Sequence, residues 1–360
     1  MKKILVVDWL DKYGGAERVL TVLNKQFDFD QCFTLVNAMS KQDLKKVFSN
    51  KKIQIVESKL RFIKSSFRYL FFLFPLLISR FKPDKKVKLI VSSSFSVAKG
   101  FKKKAHQLHI CYYQARNQRY IWDKEDIYFS SWQKFVLAPL LYLLRSIDIR
   151  HSKRPDYMIA NSFFIKNWIK ETYNIDSTVI YPPVDTELFK LEKNKEDYFI
   201  TTARLEPYKR VDLIVNAFNK TQETLYVVGD GSMKKRLRKI ANQNIRFFDF
   251  LEPKQVMQLV GKAKAFVHAG IEDFGIAPVE AQSCGTPVIA YNMGGLSETI
   301  IDNKTGILFN DQSINAILNA IKRFKITEFD YTYISRHASK FSEENFAKNI
   351  QDYIDSKIKE

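Results

Sequence analysis

Residues 265–291 read AFVHAGIEDFGIAPVEAQSCGTPVIAY. Two short apolar runs, Ala265–Ala269 and Val288–Tyr291, bracket a helical stretch. Pro278 suits the first position of that helix, and Gly285 suits the position just past its end. The spacing predicts a strand, a loop, a helix of about two turns and a second strand. A strand that returns through a helix implies parallel pairing. Outward from this unit, the same alternation recurs. Strand-like runs follow at Ile4–Asp8, Cys32–Val36, Ile53–Val56, Leu89–Ser93, Leu108–Tyr112 and Tyr157–Ala160. A second series lies at Thr178–Tyr181, Tyr198–Thr202, Leu225–Val228, Ile245–Phe248 and Gly306–Phe309. So many alternating strands suit two doubly wound sheets in an α/β protein better than one.

The break between the sheets is expected at Tyr181-Pro182-Pro183-Val184-Asp185, where two prolines stiffen the chain and remove two N–H donors. This predicts one domain over 1–182 and a second over 183–340. In the last stretch, 341–360, Phe346, Ile350, Tyr353, Ile354 and Ile358 recur at helical spacing and predict a final amphipathic helix.

Composition excludes several classes. With 46% apolar residues, 27% charged and only 12 Gly and 10 Pro, the 360-residue chain is neither disordered nor fibrous. Its three cysteines, Cys32, Cys111 and Cys284, are scattered without a CxxC pair, which argues for a reducing cytoplasm over a disulfide or zinc framework. Two lysines precede the apolar run at Ile4, but Asp8 and Asp11 interrupt it, so a strand is expected there and not a targeting segment.

The formal net charge is +19 and unevenly spread. Residues 59–104 hold 13 Lys/Arg against one acid, Asp84. Nucleic acid, an anionic membrane and an anionic small substrate are the partners such a charge implies. The aromatics of this stretch sit in a solid apolar block, Phe71–Ile78, which reads as lipid contact or core more than as a base-stacking platform. A second greasy basic segment, Trp132–Arg150, has the pattern of a helix lying in a membrane interface. The expected partners therefore include an anionic membrane surface and exclude nucleic acid.

Three segments carry chemistry. Asp11-Lys12-Tyr13-Gly14-Gly15-Ala16-Glu17-Arg18-Val19 follows the first strand and opens a helix, where free N–H groups suit a phosphate. A simple tight turn explains the glycine pair equally well. Thr202-Ala203-Arg204-Leu205-Glu206-Pro207-Tyr208-Lys209-Arg210 follows a strand of the second series, at the sheet edge where α/β proteins bind ligands. Arg204 can grip a diphosphate as a fork, with Lys209 as a compact charge. In Glu272–Glu280, the first glutamate is expected in the loop and the second in the first turn of the helix. The N–H groups of Gly275, Ile276 and Ala277 would be free for an anion.

Taken together and in order, these segments resemble glycosyltransferase family four. The resemblance rests on Arg204–Lys209, Val228-Gly229-Asp230-Gly231, Glu272–Glu280, Cys284–Ala290 and Gly294-Gly295, and in the first half on Gly14–Glu17. It implies a GT-B architecture, two Rossmann-like domains facing a central cleft, with the last helix returning to the first domain. It also implies retention at the anomeric carbon and no required metal or other cofactor. Arg204 and Lys209 match cations that bind the donor diphosphate, Glu272 the glutamate that holds sugar hydroxyls, and Glu280 the one that holds the ribose. Gly14, Gly15, Phe274, Gly275, Ile276, Ala277, Phe250 and Leu251 complete the implied donor site. Many members carry a histidine where this chain has Gln114, and glutamine cannot trade a proton. Gln114, Arg116, Arg119 and Tyr120 form the candidate acceptor side.

The expected function is transfer of a hexose, with mannose from GDP-mannose favoured, to a lipid-linked or saccharide acceptor in surface-polysaccharide synthesis. The expected location is the cytoplasm, peripheral on the inner face of the plasma membrane. A nucleotide-sugar epimerase, a glycogen-type phosphorylase and a basic nucleic-acid-binding protein are the alternatives. His109 is expected to be structural, and Asp28-Phe29-Asp30 a turn and not a metal-binding triplet.

Overall fold

The computed structural model describes residues 2–48, 53–63, 66–116, 121–122, 129–249 and 251–359. The chain divides into two compact units, one formed by Met1–Pro183 with Phe346–Glu360 and the other by Val184–Asn345. Each is built on one parallel sheet, and all the strand runs expected from the sequence are strands.

The first sheet contains β1 (Lys2–Val7), β2 (Gln31–Thr34), β3 (Gln54–Glu57), β4 (Val87–Ser94), β5 (Leu108–Tyr113), β6 (Tyr157–Ala160) and β7 (Thr178–Val179), in the order β3-β2-β1-β4-β5-β6-β7. Its central strands β1, β4, β5 and β6 are largely buried on both faces because helices cover both. Leu5 and Val7 of β1 join one core layer, while Ile4 and Val6 join the other. The order reverses between β1 and β4, which creates a switch point at their carboxyl ends. There Asp8 is fully buried and accepts the backbone N–H groups of Phe95, Ser96, Val97 and Ala98 at 2.5–2.9 Å. Three strands of this sheet end earlier than expected: β1 at Val7, β2 at Thr34 and β7 at Val179. β1 stops before Asp8, whose side chain is committed to those amides. β7 stops at Val179, because Pro182 and Pro183 have no N–H with which to extend the ladder.

Helix α1 (Gly15–Phe27) follows β1, α2 (Lys41–Val47) follows β2, and α3 (Phe74–Arg80) precedes β4. Helices α4 (Ser131–Ser152) and α5 (Phe163–Tyr173) flank β6. The expected turn at Asp28-Phe29-Asp30 has Asp28 in a left-handed conformation at the end of α1, and Asp30 accepting the Lys3 N–H at 2.8 Å. His109 is fully buried, with Nε2 2.8 Å from the Ser92 hydroxyl, and burial pushes its pKa down to about 3.

The second sheet contains β8 (Glu196–Thr202), β9 (Leu225–Val228), β10 (Ile245–Phe248), β11 (Ala263–His268), β12 (Val288–Tyr291) and β13 (Gly306–Phe309), in the order β10-β9-β8-β11-β12-β13. Its switch point lies between β8 and β11, and β11 too ends earlier than expected, at His268. Helices α6 (Val211–Phe218), α7 (Lys234–Ile240), α8 (Pro253–Lys262), α9 (Ile276–Ser283), α10 (Leu296–Thr299), α11 (Ile314–Lys325) and α12 (Tyr331–Ala338) cover it. The last helix, α13 (Glu343–Lys359), places Phe346, Ile350 and Ile354 in the core of the first unit beside Leu5 and Val7. The ring of Phe346 meets Tyr112 edge-on at 5.6 Å.

Candidate donor site

The two loops that the sequence marked most strongly meet at the second switch point. Residues 203–210 leave β8, and residues 269–275 leave β11, the neighbouring strand. The loops touch at Gly270, where a Cβ would come within 3.1 Å of the Tyr208 and Lys209 backbone. A carboxyl-edge crevice at a switch point is where doubly wound sheets bind ligands.

Lys209 Nζ lies 2.5 Å from Glu272 Oε1, and both side chains are largely shielded, at 19% and 16% exposure. His268, the last residue of β11, is buried and brings Nε2 to 2.8 Å from the same oxygen, angled away from hydrogen-bond alignment. Burial pushes the Glu272 carboxyl up. The Lys209 ammonium and the His268 ring outweigh that push and hold the carboxyl well below the usual carboxylate range. Glu272 is therefore an ionised, positioned acceptor for hydroxyl groups at neutral pH. His268 was not singled out in the sequence. Its signal was the i, i+4 spacing to Glu272, but a histidine at a strand end reads equally well as core.

Arg204 is exposed at the end of β8, and its guanidinium makes no hydrogen bond or ion pair among the described residues. Glu206 accepts the Ser232 N–H at 3.1 Å and the Ser232 hydroxyl at 2.6 Å, which ties this loop to residues 229–233. Gly229 (φ +143°) and Gly231 (φ +157°) are required there. A side chain on either would strike the carbonyl of Ala203 or Leu205.

Helix α9 begins at Ile276, two residues earlier than its proline suggested. Pro278 is thus the third helical residue, and Glu280 lies in the second turn, not the first. No side chain caps this helix. Since Pro278 has no N–H, the first-turn amides of Ile276 and Ala277 remain as donors, behind Gly275 at φ +96°. Gly285, at φ +72°, ends the helix as expected.

Other expected donor-site residues are placed differently. The Phe274 ring is buried and packs edge-on against Phe341 at 5.5 Å, so only its backbone is available to a ligand. The Leu251 side chain is partly buried against the core cluster that contains Val228 and Val260. Phe250, Arg119 and Tyr120 lie outside the described residues.

In the first unit, Gly14 caps α1 with extended backbone (φ −162°), a conformation open to any residue. Gln114 is held beside this turn. Its Nε2 donates to the Ala16 carbonyl at 3.3 Å and to the Ser93 hydroxyl. Arg116 stacks over the Phe164 ring at 4.4 Å.

Two doubly wound parallel sheets of this order define a GT-B glycosyltransferase fold. Residues 184–344, nearly all of the second unit, match the family model described as Glycosyl transferases group 1. The chain is similar to the O-antigen chain mannosyltransferase RfbU of Salmonella typhimurium, at 25% identity over 201 residues, 50% of this chain and 57% of that one. It is similar also to a GDP-mannose-dependent α-(1-6)-phosphatidylinositol monomannoside mannosyltransferase of Mycobacterium tuberculosis, at 26% identity over 219 residues, 52% of this chain and 57% of that one. The chain spans about half the length of the curated relatives it matches. Among solved structures, Anabaena HepE in complex with UDP and glucose superposes with a TM-score of 0.67 over 99% of this chain and 100% of that chain, at 20% identity.

Proposed function

We propose that the protein is a retaining glycosyltransferase that moves a hexose from a nucleotide-diphosphate sugar to a hydroxyl of a lipid-linked or saccharide acceptor. The observation that carries this reading is the Lys209–Glu272–His268 cluster at the β8/β11 switch point, beside the uncapped start of α9. In the reaction, the bond between the anomeric carbon and a diphosphate oxygen breaks, and a bond to the acceptor oxygen forms. The acceptor hydroxyl gives up its proton to the departing diphosphate oxygen, and a nucleoside diphosphate leaves. Negative charge grows on that leaving oxygen as the sugar becomes oxocarbenium-like. Arg204, Lys209 and the amides of Ile276 and Ala277 stabilise this charge without requiring a metal. Each such contact is worth on the order of 3 kcal/mol when aligned with the transition state. Glu272 orients the sugar through its hydroxyls, and Glu280 holds the ribose. The acceptor is assigned to the first unit, near Gln114 and Arg116.

Mannose from GDP-mannose is the favoured donor, in cell-surface polysaccharide synthesis. Two of the similar proteins are named as mannosyltransferases, one of them GDP-mannose-dependent. UDP-glucose is the competing reading, because HepE has been seen with UDP and glucose. A thermal-shift series separates the two. Ligand at 100 times its Kd stabilises the folded state by about 2.7 kcal/mol. GDP-mannose is expected to raise Tm more than UDP-glucose at equal concentration. A larger rise with UDP-glucose would reassign the donor, and no rise with any nucleotide sugar would refute the proposed function.

A further inference from the structure

We propose that α4 is an interfacial anchor, and that the partner covering its outward face is the surface of a bilayer containing anionic lipid. This α-helix is apolar on two faces at once. On the inner face, Leu141 and Leu144 are buried and Leu137 and Leu140 half-buried, packed with Ile121 and Phe71. The C-terminal half is pinned by buried Asp148, which pairs with Lys99 at 2.6 Å and accepts from Trp122 Nε1 at 3.0 Å and the Tyr173 hydroxyl at 2.5 Å. The helix therefore cannot roll its outer face inward. That outer face presents Trp132, Phe135, Val136, Tyr142 and Leu143, spaced i, i+3, i+4, i+10 and i+11. Trp132 is 68% exposed and Phe135 is 85% exposed. The stripe runs for about 16 Å along the helix.

A second set of exposed apolar side chains, Phe62, Ile63, Tyr69, Phe72 and Leu76, lies in α3 and the segment leading into it. Phe71, between Tyr69 and Phe72, packs against the inner face of α4 and joins the two stretches. Among the described residues, 14 large hydrophobics are exposed, and ten of them lie in these two stretches. Singly scattered apolar residues need no explanation, but a contiguous patch of this kind marks an interaction surface.

Charge selects the partner. Residues 58–83 contain six Lys/Arg and no acid, and residues 131–147 contain none either. The Arg61 guanidinium lies 4.8 Å from the centre of the exposed Phe62 ring, so a cation stands at the edge of the apolar surface. Apolar side chains can enter the acyl boundary while the cations meet lipid phosphates. Exposed Trp and Tyr suit that same interface. A second copy of this chain would bring the same cations to the contact, whereas an anionic bilayer brings the opposite charge. No helix among the described residues is long and apolar enough to cross a membrane, so the contact lies along the surface.

The proposal deepens the glycosyl-transfer reading by bringing the enzyme to a lipid-linked acceptor, and it is tested without acceptor. The full chain is sedimented at low salt with phosphatidylcholine vesicles, with and without phosphatidylglycerol. Binding is expected with the anionic vesicles and is expected to weaken as salt rises. The triple variant Trp132→Ser, Phe135→Ser, Leu143→Ser should lower the partition on the order of tenfold or more. It should leave the nucleotide-sugar thermal shift unchanged. Phe135→Ser alone is the second arm should the triple variant fail to fold, and it should also weaken binding. No binding by the wild type, equal binding by the folded variant, or a wild-type dimer that the variant dissolves would overturn the anchor. A lost thermal shift with intact vesicle binding would overturn the donor site instead.

Discussion

Lys209→Ala should lower the rate of sugar transfer by on the order of 10²–10³, the loss seen when one aligned charge-stabilising donor is removed. Lys209 serves two partners in this reading. In the free protein its ammonium holds Glu272 ionised at 2.5 Å. With donor bound, it faces the leaving diphosphate. Removing it therefore also changes how Glu272 titrates. In the wild type the carboxyl lies well below the ordinary 4.5 of a glutamate, so its stabilising contribution is complete above pH 4.5 and is lost only as pH falls through the lower folded value. Without the ammonium, desolvation loses its strongest opponent and the carboxyl pKa rises. Residual activity should then fall on the acid side at a higher pH than in the wild type. The check is a pH–rate profile of both proteins under subsaturating donor. An unchanged rate and an unchanged acid limb would show that Lys209 takes part in neither role.

Gly294→Ala should destabilise the protein by about 2–4 kcal/mol and weaken donor binding with it. Gly294 has φ +76°, which a side chain resists, and its Cβ would be driven into the backbone carbonyl of Glu272. That carbonyl accepts the Gly295 N–H at 2.8 Å, and Glu272 pairs with Gly294 as a parallel bridge. The glycine pair is thus the wall against which the Glu272 loop is pressed. Relief of the clash must move the residue that positions the sugar. Gly261→Ala, near the end of α8, is the control, since its Cβ would sit 3.3 Å from the Glu192 Cβ and 3.7 Å from Cys284. Urea denaturation and nucleotide-sugar titration of both variants check this. Gly294→Ala with normal stability and affinity would show that the loop does not depend on its glycine backing.

The strands were legible because most are short apolar runs between turn residues, the central ones buried on both faces. Their ends were less so. The side chain of Asp8 decides where β1 stops, and nothing local reveals that it will bind four amides 87–90 residues away. Glu272, Arg204 and Lys209 were legible as candidates because each follows a strand at the sheet edge. His268 was not, because its meaning comes from the carboxylate four residues further along, in the loop after β11. The Gly294-Gly295 pair was visible as part of a resemblance, but its close approach to Glu272 exists only in three dimensions. Helix α4 was the hardest to read. Leu137, Leu140, Leu141 and Leu144 compete with Trp132, Phe135, Val136, Tyr142 and Leu143 for the inside, and pattern alone does not choose between two apolar faces.

The proposed donor site is tested most directly at Arg204, an exposed cation with no ion pair among the described residues. Calorimetric titration of GDP-mannose into wild type and Arg204→Ala should show one saturable site in the first. In the second, affinity should fall by roughly tenfold or more with Tm in the absence of ligand unchanged, as expected for loss of a charge-assisted contact. Equal affinity in the two proteins would contradict a donor diphosphate held at the end of β8.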